Sequence, residues 1–429
     1  GITLWANSDG DTANYGGILL NAGSSLTSQN GNITLGGGSA LATGYASNKT
    51  TNVGNTGDNA ANYSGGVALF NAAINAGTGA VTVRGESVGS ADDYAMGILL
   101  RGDAGTSSIT GGDISLVGIS NNAGNAGGNG SSNRGIALVS SSITGSGAVS
   151  LNGTGSAGVG GSTSNNSGIY LNGSTVSATS GSVSLNGTGR GVNAGADGVA
   201  MTQTSSLSAA TQLTVTGNTS QAASSALNMG AQSTLTSGGA MQIDGNAPLV
   251  LGNLNSTGAL SISTTHGNVT QTAGTTVSAA DTTGVSVANA NVTLDNTGNN
   301  MVGLISVTNA ANLTLRSTTL TMDSVTTSGT QVYNSPVVFP VSTTFDGTQV
   351  TFNQAVTGTG SLTLNGVAVL NGATLTTTGA QTYNGAATLG VNTTLSSSGA
   401  GEIKFANSLN GAKTLVINTS GATTFNGPV

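Results

Sequence analysis

Cysteine is absent from the 429 residues, proline occurs four times, histidine once, and aromatic residues make up only 3% of the chain. Without thiols there are no disulfides and no thiolate metal sites, a state that suits either a reducing compartment or an exported chain that crosses membranes unfolded. So few aromatics leave no material for a thick, irregular core. Charge is scarce too: 5% of residues are Asp, Glu, Lys or Arg, against roughly 25% in ordinary globular proteins. That deficit argues against a cytosolic enzyme and favours export. Eight basic residues against 15 acidic ones leave a net charge of −7, so there is no basic surface to neutralise phosphates, and nucleic acid is excluded as a main partner. No apolar run approaches the ~18 residues of a membrane helix. The chain opens at Gly1 in what reads as a strand rather than a signal peptide, which implies a piece of something longer.

What is present is 70 glycines with abundant Ser, Thr, Asn and Ala. Val, Ile and Leu recur throughout, and mean hydropathy is +0.11. Disordered chains pair low hydrophobicity with high net charge or proline, so this composition points to something thin and regular.

A repeat occurs seven times before residue 246. Its first phrase reads GILL at Gly17, GVAL at Gly66, GILL at Gly97, GIAL at Gly135, GIYL at Gly168, GVAM at Gly198 and ALNM at Ala226. The second phrase carries one aliphatic in a Ser/Thr setting, from Leu26, Ile74 and Ile109 through Ile143, Val176 and Leu207 to Leu235. A third phrase places two aliphatics two residues apart, as in Ile33/Leu35, Val81/Val83, Ile114/Leu116, Val149/Leu151, Val183/Leu185, Leu213/Val215 and Met241/Ile243. A spacing of two puts both side chains on one side of a strand. Each copy therefore offers three short strands with one apolar face apiece, which only stacking on further copies can bury. The expected fold is all-β: a right-handed parallel β-helix, three short strands per coil, with glycines such as Gly31, Gly79, Gly112, Gly147 and Gly181 at corners. The step from a third phrase to the next first phrase falls from 32 residues (Leu35 to Val67) to 12 (Val215 to Leu227), so side loops gather on one edge of the N-terminal half.

After residue 247 the phrases change. Two related blocks of about fifty residues follow: GTQVYN at Gly329 matches GAQTYN at Gly379, VTFN at Val350 matches IKFAN at Ile403, and LTLN at Leu362 matches LVIN at Leu415. Each block reads as two coils. The expected organisation is a continuous shaft, with 1–246 carrying looped coils, 247–328 the same helix in a looser register and 329–429 the fifty-residue repeats.

The runs TTTGAQTYNGAATLG from Thr376 and INTSGATTFNG from Ile417, with the opening ITLWANSDGD from Ile2 and GNITLGGG from Gly31, resemble the filamentous-haemagglutinin-like family of giant bacterial surface exoproteins. The resemblance covers most of the chain as a style of repeat. It implies a right-handed β-helix, secretion through a dedicated outer-membrane transporter, and a place at the bacterial cell surface or outside the cell as an adhesin, fibre or toxin stalk. Neighbouring fibre subunits, surface glycans and receptors on host or partner cells are then the expected partners.

A carbohydrate-binding or carbohydrate-active β-helix, of the polysaccharide lyase or glycosidase kind, is the alternative. Such chemistry needs paired carboxylates, or an acidic metal site with a base beside it. The chain has two glutamates, Glu86 and Glu402, and thirteen aspartates. Asp92 and Asp93, with Arg101 and Asp103 close by, form no matching set on adjacent coils, and His266 stands alone. Asp9 and Asp11 offer two ligands where a hard cation wants six or more oxygens. No catalytic residue, cofactor or metal is expected, and a fibre segment is the preferred reading over an enzyme. Recognition is expected at the looped edge, where Tyr15, Tyr45, Lys49, Asp58, Tyr63, Glu86, Asp92, Asp93 and Tyr94 concentrate charge and aromatic surface. Tyr15, Tyr63 and Tyr94 precede the first phrase in successive copies; they are read either as rings packed under the loops or as a sugar-docking row.

Overall fold

The computed structural model describes residues 1–7, 16–40, 43–48, 64–88, 95–103, 105–121, 132–157, 165–191 and 195–429. Among them there is no α-helix; short strands pair in parallel, each with its counterpart one coil away, as in a parallel β-helix. The chain falls into two compact units, Gly1–Asn253 and Leu254–Val429.

In the first unit each coil has three strands, for example Ile136–Val139, Ser141–Gly145 and Val149–Thr154. The aliphatic columns stack residue on residue. Ile18, Val67, Ile98, Ile136, Ile169, Val199 and Leu227 are successive register partners. So are the second-phrase residues from Leu26 to Leu235, and the third-phrase pairs from Ile33 and Leu35 to Met241 and Ile243. Apart from half-buried Leu26, all are buried. Two strands extend the series beyond seven copies: Ile2–Ala6 pairs with the third phrase at Ile33, and Leu249–Leu251 with the first phrase at Leu227.

Local chemistry sets the corners. Between first and second strands the chain turns through a left-handed residue, Asn71 (φ 47°), Ser140 (φ 47°), Gly173 (φ 56°) or Gln203 (φ 53°), none of them β-branched. A buried serine follows in coil after coil, and its hydroxyl donates to a carbonyl the turn leaves over: Ser107 to Arg101 (2.7 Å), Ser141 to Val139 (2.8 Å), Ser174 to Asn172 (3.0 Å) and Ser205 to Thr202 (2.7 Å). The corner glycines expected from sequence serve close approach rather than positive φ. A Cβ on Gly79 would lie 2.4 Å from the Gly31 carbonyl oxygen, and one on Gly181 2.3 Å from that of Gly147. Ser177, on an outward position, is half-buried, its hydroxyl 3.3 Å from that of Thr144, whereas Thr175 two residues earlier is exposed.

Among the described residues of this unit, Asp197 is the buried acid. Its carboxylate accepts from the Ser225 N–H (2.7 Å) and the Asn228 amide (3.0 Å). Burial nevertheless outweighs these bonds and raises its pKa above the ordinary carboxylate value. A raised pKa in the folded state means that the fold holds the proton more tightly than the unfolded chain does, so the ionised form is the destabilising one. Stability from this group is full below the unfolded value near pH ~4 and is lost as pH rises through the folded pKa. Asp197→Asn is expected to flatten that decline in melting temperature from pH 4 upward; an unchanged pH profile would assign the slope to other groups.

In the second unit the coil shortens. Val337, Val356 and Leu375 are register partners nineteen residues apart. The fifty-residue block is therefore not two coils. From Thr330–Tyr333 to Gln381–Tyr383 the chain advances eight strands, one short of three coils. The matching phrases lie on different faces: the first pairs with Gln349–Phe352, the second belongs to a separate six-stranded sheet.

What the repeat conserves is a buried device. Gln331 sends its amide N–H groups to the Asp346 carbonyl (2.8 Å), the Val325 carbonyl (3.2 Å) and the Thr327 hydroxyl (3.2 Å), while accepting the Tyr333 hydroxyl (2.9 Å). Gln381 repeats this with Ser396, Leu375, Thr377 and Tyr383. Burial pushes both phenols' pKa values upward, keeping each a donor. Around them the few aromatics cluster: Tyr333, Phe345 and Phe352 lie 5.2–5.3 Å apart, and Tyr383 stacks on Phe405 at 4.6 Å. On the outside, amide side chains chain together from Asn371 to Asn353 (2.7 Å) to Asn334 (2.6 Å).

Candidate functional site

A strand buried on one face alternates apolar with polar residues, and the third phrases do so: Thr34, Thr82, Ser115, Ser150 and Ser184 separate their aliphatics. The first phrases do not. Their outward positions carry Leu19, Ala68, Leu99, Ala137, Tyr170 and Ala200 in one row, and Phe70, Arg101, Val139, Asn172 and Thr202 in the next. Ala68, Phe70, Leu99 and Ala137 are buried and cluster with Met96, with Leu19 packed against them. The first unit thus has a second apolar layer outside its core, on the sheet flanking the looped edge.

A recess of about 240 Å³ opens in this layer. Met96, Leu99 and Val139 give it apolar walls; Arg101, Arg134, Tyr170, Asn172 and Ser132 give it polar ones. Adjacent coils deliver these groups because Arg101, Val139 and Asn172 are successive register partners. The Arg134 guanidinium lies 3.6 Å from the centroid of the Tyr170 ring, an attraction worth ~2 kcal/mol when desolvated, as at this buried arginine. The Tyr170 hydroxyl meets the Asn172 amide (2.9 Å) and the Thr202 hydroxyl (3.3 Å), which fixes the ring from its far end. Arg101 is oriented by an ion pair with Asp103, whose N–H donates to the Asn71 side chain (3.0 Å). Two of the chain's eight cationic residues therefore border one small recess.

The second unit has an open trough of about 810 Å³. Thr283–Leu294 and Leu304–Leu315 each bend without a break, through left-handed Asn289 (φ 52°) and Asn309 (φ 58°). On its far side Leu304–Leu315 pairs with Thr321–Met322 through Leu304 and Ile305, next at a single bridge between Ala310 and Thr327, and again with Gln331–Tyr333 through Leu313–Leu315. The uncovered stretch between forms the floor. Exposed Asn289, Thr308, Asn309, Ser324, Thr326 and Ser328 line a neutral hydroxyl-and-amide surface there, with the Ser328 hydroxyl donating to Asn289 (3.0 Å).

Of the contact residues expected from sequence, Tyr15, Lys49, Asp58, Tyr63, Asp92, Asp93 and Tyr94 lie outside the described residues, as do Asp9 and Asp11. Tyr45 is half-buried. Half-buried Glu86 accepts from the Asn121 amide and sits 3.4 Å from the Ser47 hydroxyl, tying strands of three neighbouring coils together. Arg101 and Asp103 pair with each other, and exposed His266 sits at a corner where its carbonyl accepts from Thr264 (2.6 Å). Among the described residues no three His, Asp or Glu side chains gather as a metal site would need. Sequence reasoning passed over Arg134, Tyr170 and Asn172. The signal for Tyr170 and Asn172 was the scarcity of Ser and Thr at the outward positions of the first phrases; Arg134, ahead of its phrase, carried none.

A family model described as "Repeats of unknown function (DUF5649)" matches residues 238–308, which include Asn289 and Thr308 of the trough. No curated protein and no solved structure matches the chain.

Proposed function

We propose that the chain is a structural and adhesive segment of a secreted bacterial cell-surface fibre or giant adhesin, of the filamentous-haemagglutinin-like kind, that mediates attachment to surfaces or to other cells. The observation that carries this reading is the contrast within the first unit. Its columns and serine corners repeat almost unchanged from coil to coil, while variation is confined to one edge and the outer layer beside it. Such a framework supplies rigidity and reach, and varied loops on a rigid repeat supply contact. Export through an outer-membrane transporter fits a chain without disulfides.

The carbohydrate-active alternative draws less support. Among the described residues the carboxylates in contact meet other groups rather than one another, for example Asp103 with Arg101, Asp295 with Arg316 and Asn334, Glu86 with Asn121, Glu402 with the Thr424 hydroxyl and Asp197 with two amides, whereas glycoside cleavage needs two facing each other. The test is attachment. Beads coated with the chain are expected to bind partner or host cells well above uncoated beads, and replacing residues 49–62, beyond the paired strand Ala46–Asn48, by a short Gly-Ser turn is expected to weaken that binding while leaving strand content and melting nearly unchanged. Coated beads that bind no better than bare ones would overturn the adhesive role.

A further inference from the structure

We propose that the recess bordered by Arg101, Arg134, Tyr170 and Asn172 is a binding site for one carboxylate-bearing sugar residue, the acidic unit of a surface polysaccharide. Charge is the first argument. In a chain with eight cationic side chains and a net charge of −7, two guanidiniums border a single recess. The fork of N–H donors on each matches the planar carboxylate in a way a lysine ammonium does not.

Shape is the second argument. At about 240 Å³ the recess falls below the ~300–1,000 Å³ of sites for drug-sized molecules. It is matched to one ring rather than an extended oligosaccharide. A pyranose presents C–H faces and hydroxyl edges together, and the walls divide in the same way: Met96, Leu99 and Val139 for the former, Ser132, Asn172 and the Tyr170 hydroxyl for the latter. Rigidity is the third. Arg134 is stacked on Tyr170, Tyr170 is held by Asn172 and Thr202, and Arg101 is aimed by Asp103. The cost of ordering the site is thus met before a ligand arrives. This assignment deepens the adhesive reading and rests on it for its biological role. The binding measurement, made on purified protein, stands or falls independently of cell attachment.

The experiment is titration of the full chain with glucuronate, glucose and acetate as probes, followed by calorimetry or ligand-detected NMR. Glucuronate is expected to bind at least about 10-fold more tightly than either glucose or acetate, because only it combines a carboxylate matched to the guanidinium forks with a ring matched to the walls. Arg134→Gln is expected to weaken glucuronate by about 10-fold or more, and Arg134→Lys nearly as much since the fork is lost. Should Arg134 variants lose the fold by circular dichroism, Arg101→Gln carries the same expectation at the recess's exposed side. Equal binding of glucuronate and glucose, binding of acetate as tight as glucuronate, or unchanged glucuronate affinity in a folded arginine variant would each overturn the assignment. So would absence of glucuronate binding at tens of millimolar.

Discussion

Gly135→Ala is expected to cost the first unit upward of about 3 kcal/mol, although it adds a single methyl group. Two glycine ladders meet where the third strand of one coil ends and the first strand of the next begins. Gly85, Gly118, Gly153, Gly187 and Gly217 are successive register partners on one side, and Gly97, Gly135, Gly168 and Gly198 precede the first-phrase aliphatics on the other. Their backbones touch. A Cβ on Gly135 would sit 2.2 Å from the Thr154 nitrogen, 2.6 Å from the Gly153 carbonyl carbon and 2.7 Å from the Gly118 oxygen, and one on Gly153 would sit 2.2 Å from the Gly168 oxygen. Nothing there is the yielding end of a side chain, so relief requires moving strands in both ladders and breaking bonds such as Gly135 N–H to Ser167 (3.2 Å). Gly65→Ala is the control, since its added methyl would come no closer than 3.5 Å to any neighbouring atom. Melting of the full chain by circular dichroism should separate the two variants clearly. Equal melting temperatures would mean that the close approach of the ladders is absent in solution.

These ladders explain both what the sequence made legible and what it hid. Columns such as Ile98, Ile136 and Ile169 were readable because a period of two within a phrase, repeated at each coil, has no other economical burial than a stack. The glycine that opens six of the seven first phrases was visible too, but as part of a phrase. That it faces a second glycine, as Gly135 faces Gly118 and Gly153, depends on how far the third strand runs past its aliphatics, and no local pattern marks that. The fifty-residue blocks misled for a related reason. Likeness between GTQVYN and GAQTYN reports a shared buried task, the Gln–Tyr hydrogen bonds, not a shared face. A repeat of eight strands on a three-sided solenoid returns to the same chemistry one face away. The recess was hidden differently: Tyr170 and Arg134 are thirty-six residues apart in sequence and meet only because coils stack, whereas Leu99 and Phe70 at outward positions gave a warning that the first-phrase sheet is covered.

Ile136→Asp is expected to be the most damaging single change in the core, costing about 5 kcal/mol or more at neutral pH. Ile136 has no solvent exposure and lies between Ile98 and Ile169 in its column. The substitution removes an aliphatic side chain of this ladder and leaves a carboxylate beside apolar ones. Because coils couple to their nearest neighbours, the loss should appear as early melting of part of the chain rather than uniform loosening. Thr175→Asp places the same group on the exposed outward row, where a change within about 0.5 kcal/mol is expected. The pH dependence separates a buried charge from a mere cavity. A buried carboxyl has its pKa raised in the fold, so its penalty is full above that raised value and shrinks as pH falls toward the unfolded value near ~4. The gap in stability between Ile136→Asp and the parent should therefore narrow on acidification. Ile136→Ala leaves a cavity without a charge, and its gap should stay constant across the same range. If Ile136→Asp and Thr175→Asp melt together at pH 7, the register that places Ile136 inward is wrong, and with it the outward row that builds the recess.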